Sequence, residues 1–203
     1  PDNLLELEDF TEVHLLDALR RRHEDGSIYT WVGSVLVSVN PYRDIGAFGG
    51  EVAARCASDP RAREPHLYST VLQALAETGD KHAILITGES GAGKTEATRA
   101  ILQFLATTRR GGAAAAAASC GPVRERLLRS TPILEAFGNA HTRQNVNSSR
   151  FGKFIEVLLS KDQGEVVGAT LRPYMLETSR VAGDLPQGEH TYHVFYLLRA
   201  AAA

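Results

Sequence analysis

The sequence predicts an α/β fold, and three observations predict it. A continuous apolar run, "HAILIT" at residues 82–87, leads at once into a glycine-rich turn and a helix-like stretch. Elsewhere, runs of β-branched and aromatic residues alternate with segments whose apolar residues recur every three to four positions. Late in the chain, "FGKFIEVLLS", "KDQG" and "EVVGATLRPY" read as strand, turn and strand.

The elements follow in order. Asp9 or Thr11 can cap a helix that runs to about His23, with Val13, Leu16 and Leu19 on one face and Asp25-Gly26 ending it. The Arg20–Arg22 run reads as a solvated helix end that favours the C-terminal dipole. "IYTWVGSVLVSVN" reads as one or two strands stopping at Asn40-Pro41, and "DIGAFGG" as a loop. Leu67, Val71 and Leu75 form a helical stripe stopped by Gly79. "HAILIT" is expected to be a buried strand, because an unbroken apolar run implies cover on both faces. Ala97, Ile101, Phe104 and Leu105 form the next helical stripe, to about Thr107. Residues 109–121 are expected to form a flexible surface loop. Pro122 suits a first helical turn that Val123, Leu127 and Leu128 continue. A last helix is expected over about His190 to Ala200.

Composition bounds the function. The 203 residues suit one domain or two small ones, and 43% hydrophobic with 23% charged residues is ordinary for a globular chain. A formal net charge of −2 gives no basic balance of the kind that binds nucleic acid wholesale. Cys56 and Cys120 lie far apart and read as free thiols of a reducing compartment. No run approaches membrane-spanning length and the N-terminus carries no signal-peptide pattern, so the expected location is cytoplasmic. The opening "PDNLLELEDF" and the closing "RAAAA" read as the ends of a fragment.

Chemistry concentrates in "GESGAGKTE". Gly88, four residues, then Gly93-Lys94-Thr95 fits G-x-x-x-x-G-K-[ST], with an expected strand before it and a helix after it. Such a loop, Gly88, Glu89, Ser90, Gly91, Ala92, Gly93, Lys94 and Thr95, must wrap an oxyanion so that successive N–H groups point inward. The helix N-terminus adds amides and a partial positive charge. Lys94 can reach the β- and γ-phosphates, and the Thr95 hydroxyl can ligate Mg²⁺. A second polar constellation, "NVNSSRFGKF" from Asn145 to Phe154, places adjacent hydroxyls and an arginine at the mouth of a strand. A serine hydroxyl is a hard ligand for Mg²⁺, an asparagine can donate to phosphate, and an arginine there pairs with a carboxylate or phosphate. His190 and His193, one helical turn apart, form a possible metal pair, but a helix face or satisfied core histidines account for them better.

"GESGAGKTEATR", "AFGNAHTRQNVNSSRFGKFIEV", "NPYR", "PHLYSTV", "YMLETSRV" and "YHVFYLL" occur in the order and nearly the spacing of the myosin motor domain, which the chain resembles over almost its whole length. "NSSRFGK" resembles myosin switch I. Phe151 after Arg150 departs from the Ser-Ser-Arg-Ser-His of kinesins. The resemblance implies the N-terminal part of a motor domain over 1–203, with a P-loop NTPase-type mixed sheet flanked by helices, incomplete here. It implies ATP and Mg²⁺ as cofactors, actin filaments as partner, light chains on a lever arm outside this chain, and a cytoskeletal location. Residue by residue, it implies that the loop from Gly88 to Thr95, with Glu96 beside it, holds the phosphates. Lys94 would bridge the β- and γ-phosphates, and Thr95 and Ser149 would ligate Mg²⁺. Asn145 and Ser148 would face the phosphates, Ser148 near the attacking water. Arg150 would pair with a switch II glutamate, and Asn40, Pro41 and Phe48 would border the adenine.

Some positions depart from the family pattern. Val146 replaces a middle asparagine, and Phe48 stands where a tyrosine closes the adenine pocket, so it can stack but not donate. No Asp-x-x-Gly occurs anywhere, so the chain has no switch II, and "DIGAFG" lacks the required glutamate. The reading is therefore an actin-activated ATPase motor of which this chain supplies P-loop and switch I, inactive by itself. The alternatives are a non-catalytic truncated fragment or another P-loop nucleotide-binding protein. A GTP-binding switch would need Asn-Lys-x-Asp, which is absent.

Overall fold

The computed structural model describes residues 1–58, 64–107, 121–162 and 164–202. They divide into two compact units. One holds Pro1–Gly88 and the stretch from Ala92; the other holds Glu89–Gly91 and the C-terminal part of the chain.

The first unit opens with a 3-10 turn, Leu4–Glu6, and helix α1, Glu12–Glu24. Thr11 is the N-cap of α1, its hydroxyl accepting from His14 N. Strands β1 (Tyr29–Val32) and β2 (Val35–Ser38) pair antiparallel, with Tyr29 opposite Ser38 and Val32 opposite Val35. Their two-residue turn needs a left-handed backbone, and Gly33 supplies it at φ +63°. Asn3 Oδ1 accepts from Leu5 N at 3.1 Å and Gly33 N at 3.2 Å, which ties the chain start to the hairpin turn. Arg22 corrects the solvated-helix reading of its run. Its Nη2 donates to Tyr29 O and its Nε to Thr30 Oγ1, both at 2.8 Å, and its Nη1 to Asp2 Oδ1 at 2.7 Å. Arg20 and Arg21 are exposed, each paired within α1.

Helices α2 (Gly50–Ser58), α3 (Leu67–Ala76) and α4 (Lys94–Thr107) complete this unit. Its core joins Ile28 and Tyr29 of the hairpin region to Cys56, to Leu67, Tyr68, Val71 and Leu72 of α3, and to Ala100, Ile101 and Phe104 of α4. The Tyr68 and Phe104 rings stack with centroids 4.1 Å apart. His66 caps α3: its Nδ1 accepts from Tyr68 N at 3.0 Å, so the neutral ring donates from Nε2 to Ala47 O, also at 3.0 Å.

The second unit contains α5 (Gly121–Gly138), β3 (Asn139–Ala140), β4 (Ser148–Ser149), β5 (Gly152–Leu159), β6 (Val166–Tyr174), α6 (Ser179–Ala182) and α7 (His193–Ala201). β3 pairs with β4 and β5 with β6, both antiparallel, the second pair running from Gly152 opposite Tyr174 to Leu159 opposite Val166. Two glycines make room for rings. A Cβ on Gly138 would lie 2.3 Å from the Phe151 ring, and one on Gly152 would lie 2.4 Å from the Tyr174 ring.

Three expectations are corrected. Residues 82–87 form no strand: they have no ladder partner among the described residues, and Leu85 is 89% exposed. Only Ile86 packs, partly buried, against the core. A strand is defined by its neighbour, so an apolar run without one is an extended segment and cannot be covered on both faces. The described residues likewise form no mixed sheet. The described strands make three separate two-stranded antiparallel sheets. The last helix starts at His193 rather than His190, because His190 N bonds His141 O at 3.0 Å and Tyr192 bridges Ala140. The loop expected at 109–121 lies outside the described residues except for Gly121, which begins α5.

Candidate nucleotide site

In the first unit the glycine loop runs directly into α4. Gly88 has φ +150° and Gly93 φ +92°, backbone that L side chains rarely adopt. A Cβ on Gly88 would also press on the Ala92 Cβ at 3.2 Å. Lys94 is the first residue of α4 and reaches back across the loop, its Nζ donating to Gly88 O at 2.6 Å. Thr95 follows it. The first intrahelical bond of the turn is Ala97 N to Gly93 O, 2.9 Å, so the amides ahead of Ala97 lie at the positive end of the helix. Glu96 is exposed and pairs with Arg99 one turn on, at 3.4 Å.

Asn40 and Pro41 follow β2. A Cβ on Gly93 would meet the Asn40 carboxamide at 3.8 Å, so the loop and Asn40 are near neighbours. Asn40 Oδ1 accepts from Tyr42 N at 2.9 Å, closing an Asx turn after the strand. Phe48 sits on the loop before α2, 40% exposed, with its ring centroid 6.2 Å from Tyr68. Its backbone is anchored: Tyr68 Oη donates to Phe48 O at 3.1 Å, and His66 holds Ala47 O.

In the second unit Ser90 of the loop meets Ser148 of β4, hydroxyl to hydroxyl, at 2.7 Å. The middle glycine, Gly91, has φ +84°. Ser148 is buried, and its oxygen also accepts from Arg150 Nη1 at 3.1 Å. The adjacent Ser149 donates to Asn139 Oδ1 at 2.9 Å, which leaves its oxygen lone pairs for a cation. Asn139, buried on β3, donates in turn to Asn147 Oδ1 at 2.9 Å. Asn145 Oδ1 accepts from Asn147 N at 3.0 Å, which turns the NH₂ end of its amide to the donor role. His193 and Asn147 Oδ1 are 3.1 Å apart, and His190 lies against His141 and Tyr196. Packing and hydrogen bonding take up these two rings.

Arg150 pairs with Glu177, its Nε donating to Glu177 Oε2. The same oxygen accepts from Arg180 Nε at 2.8 Å, while Arg180 Nη2 reaches Glu189 at 2.7 Å and Nη1 reaches His190 O at 2.9 Å. Partial burial pushes the Glu177 carboxyl up. The hydrogen bonds and charges of Arg150 and Arg180 outweigh that, and the net value lies below the ordinary carboxylate range. The sequence reading missed Asn139, Glu177 and Arg180. Glu177 and Arg180 are three residues apart, with Glu177 just ahead of α6, and their opposite charges at that spacing were readable. Nothing local links Glu177 to Arg150, 27 residues earlier.

Two sets of residues thus carry the polar chemistry: a glycine turn capped by a lysine-first helix, and a serine pair braced by an arginine. Comparison with known proteins supplies the family. The profile of the myosin head (motor domain) matches residues 1–203, and the chain belongs to that family. It is 46% identical over 197 residues to unconventional myosin-Ic of Mus musculus, covering 95% of this chain and 18% of that protein. It is 40% identical over 205 residues to unconventional myosin-Ib of Rattus norvegicus, covering 97% of this chain and 17% of that one. Against the myosin-H heavy chain of Dictyostelium discoideum it is 38% identical over 209 residues, 97% of this chain and 12% of that one. The chain therefore spans less than a fifth of the length of these relatives.

Proposed function

We propose that this chain supplies the Mg-ATP-binding P-loop and switch I of an actin-based cytoskeletal motor. The observation that carries the reading is the loop from Gly88 to Thr95: glycines at positive φ opening into α4, with Lys94 as its first residue. A cradle of this kind presents amides and one ammonium to a polyphosphate. The donor set fits the cofactor. Thr95 and Ser149 offer hydroxyl oxygens to Mg²⁺, and Lys94 offers charge to the β- and γ-phosphates. Mg²⁺, when bound, neutralises charge on the phosphate oxygens. Asn145 and Ser148 face the phosphates, Glu89, Ser90, Gly91, Ala92 and Glu96 belong to the loop and its helix, and Asn40, Pro41 and Phe48 border the base. On this reading a wider P-loop NTPase sheet would take up the segment 82–87, which has no ladder partner among the described residues.

Actin filaments are the proposed partner and the cytoskeleton the proposed location, with light chains bound outside this chain. Nucleic acid is not a partner on this reading, given the net charge of −2. Among the described residues no helix is long and apolar enough to cross a membrane. A second reading rests on one observation: no Asp-x-x-Gly occurs in the 203 residues. By themselves they position phosphate but lack the second wall for an attacking water, so they bind without turning over.

The test is Lys94→Ala in the full native polypeptide carrying this chain. Binding of a fluorescent ATP analogue with Mg²⁺ is expected to vanish, because the ammonium charge on the terminal phosphates is lost. Unchanged affinity would remove the nucleotide assignment.

A further inference from the structure

We infer that Glu177 is a positioning residue for the phosphate-facing serine, acting through Arg150. The inference rests on the nucleotide reading above, but the geometry stands without it. Glu177 grips Arg150 twice: its carboxylate takes Arg150 Nε, and its main-chain N donates to Arg150 O at 3.0 Å. A guanidinium is planar, so fixing Nε fixes where the other nitrogens point. Arg150 Nη1 then meets Ser148 Oγ at 3.1 Å, and Ser148 meets Ser90 Oγ at 2.7 Å. One continuous line of hydrogen bonds therefore runs from Glu177 to the glycine loop.

Glu177 is itself held from the far side. Tyr192, buried, donates its hydroxyl to Glu177 O at 2.6 Å. Arg180, whose side chain is 3% exposed, donates to the same carboxylate oxygen as Arg150. Two arginines on one oxygen repel each other; the ionised carboxylate offsets that repulsion, and Glu189 pairs with the second of them. Held by these partners, Glu177, whose side chain is 33% exposed, has few places to swing. Arg150 N is also clamped, donating to Gly138 O at 2.8 Å. The serine hydroxyl accepts from a cation, which polarises its own O–H toward donation. A braced, polarised Ser148 suits orienting a water or a terminal phosphate oxygen, and it has little bearing on how tightly the rest of a nucleotide is held.

Glu177→Gln removes the charge that both arginines share, whereas Glu189→Gln removes a direct partner of Arg180 and leaves the Arg150–Glu177 pair in place. Both variants are made in the full native polypeptide carrying this chain. Glu177→Gln is expected to slow single-turnover ATP hydrolysis about tenfold or more while Mg-ATP affinity stays within about threefold. In nucleotide-free protein it is expected to raise amide exchange over residues 145–151. Glu189→Gln is expected to lower thermal stability and to do neither. Glu177→Asp, which keeps the charge but withdraws it by one methylene, is expected to follow Glu177→Gln and is read in its place if the glutamine variant does not fold. If the Glu177 and Glu189 variants behave alike, or if hydrolysis stays at the wild-type rate, Glu177 belongs only to the structural cluster. Retained nucleotide binding in Lys94→Ala would instead remove the underlying reading, and the exchange measurement would still report on the brace.

Discussion

At the scale of single residues, hydrogen-bond direction separates two neighbouring serines. Ser148 accepts from Arg150 and meets Ser90, so it belongs to the charged line that ends at Glu177. Ser149 donates to Asn139, so its oxygen lone pairs are left to accept, as the proposed Mg²⁺ ligation requires. Ser149→Ala is therefore expected to weaken Mg²⁺-dependent nucleotide binding far more than binding in chelator. Titrating a fluorescent nucleotide with and without the metal checks this, and equal losses would make Ser149 a packing residue. The contacts of these serines were only partly legible beforehand. The motifs named Lys94, Thr95, Ser148 and Ser149, because a phosphate cradle and a hard-ion ligand each demand particular residue types at fixed spacing. Asn139 and Glu177 act on those residues from 10 and 27 positions away. No local periodicity records such a contact.

At the scale of elements, close approach at two glycines holds the second unit in register. Gly138 ends α5 under the Phe151 ring, and its carbonyl receives Arg150 N. Gly138→Ala forces a methyl into that ring and is expected to cost about 1–3 kcal/mol, the usual penalty of overpacking. Gly50→Ala, at the start of α2 with open space around a new Cβ, is expected to be neutral or slightly stabilising. Denaturant midpoints of the two variants check the contrast, and similar losses would show that the ring moves aside freely. Element type was well marked wherever local chemistry decides it. Thr11, one of two expected caps, caps α1, and Lys94 opens α4 after the glycines, whereas the turn at Gly33 settles a stretch that had read as one or two strands. It was poorly marked where a partner decides it. The 82–87 run carries a strand's composition without a strand's neighbour, and residues 190–192 lose their helix to pairing with β3.

At the scale of the whole molecule, protonation couples to stability through His66 and Glu177. Burial lowers the His66 pKa, partly offset by its bond to Ala47 O, so the fold holds the ring neutral. The contribution is complete above the unfolded value, about 6.5, and is lost as pH falls through the depressed folded value. Glu177, also depressed, adds a loss in the same direction, in the carboxylate range. The thermal midpoint is expected to fall as pH drops from about 7 to about 5. His66→Gln should lower the baseline and flatten that part of the curve, and an unaltered slope in the variant would show that His66 does not titrate there. The extended segment before the glycine loop has a different consequence. Ala83–Thr87 combines exposed apolar side chains with strand-like composition, the profile of a segment that nucleates aggregation during synthesis. Asp80, Lys81 and His82 precede it, and Gly88 and Glu89 follow it. Charges and a glycine at the flanks are gatekeepers: a second copy stacking on this segment would have to bring like charges together and extend through backbone that resists β geometry. The loop proposed to hold phosphate thus also bounds, on one side, a stretch prone to self-association.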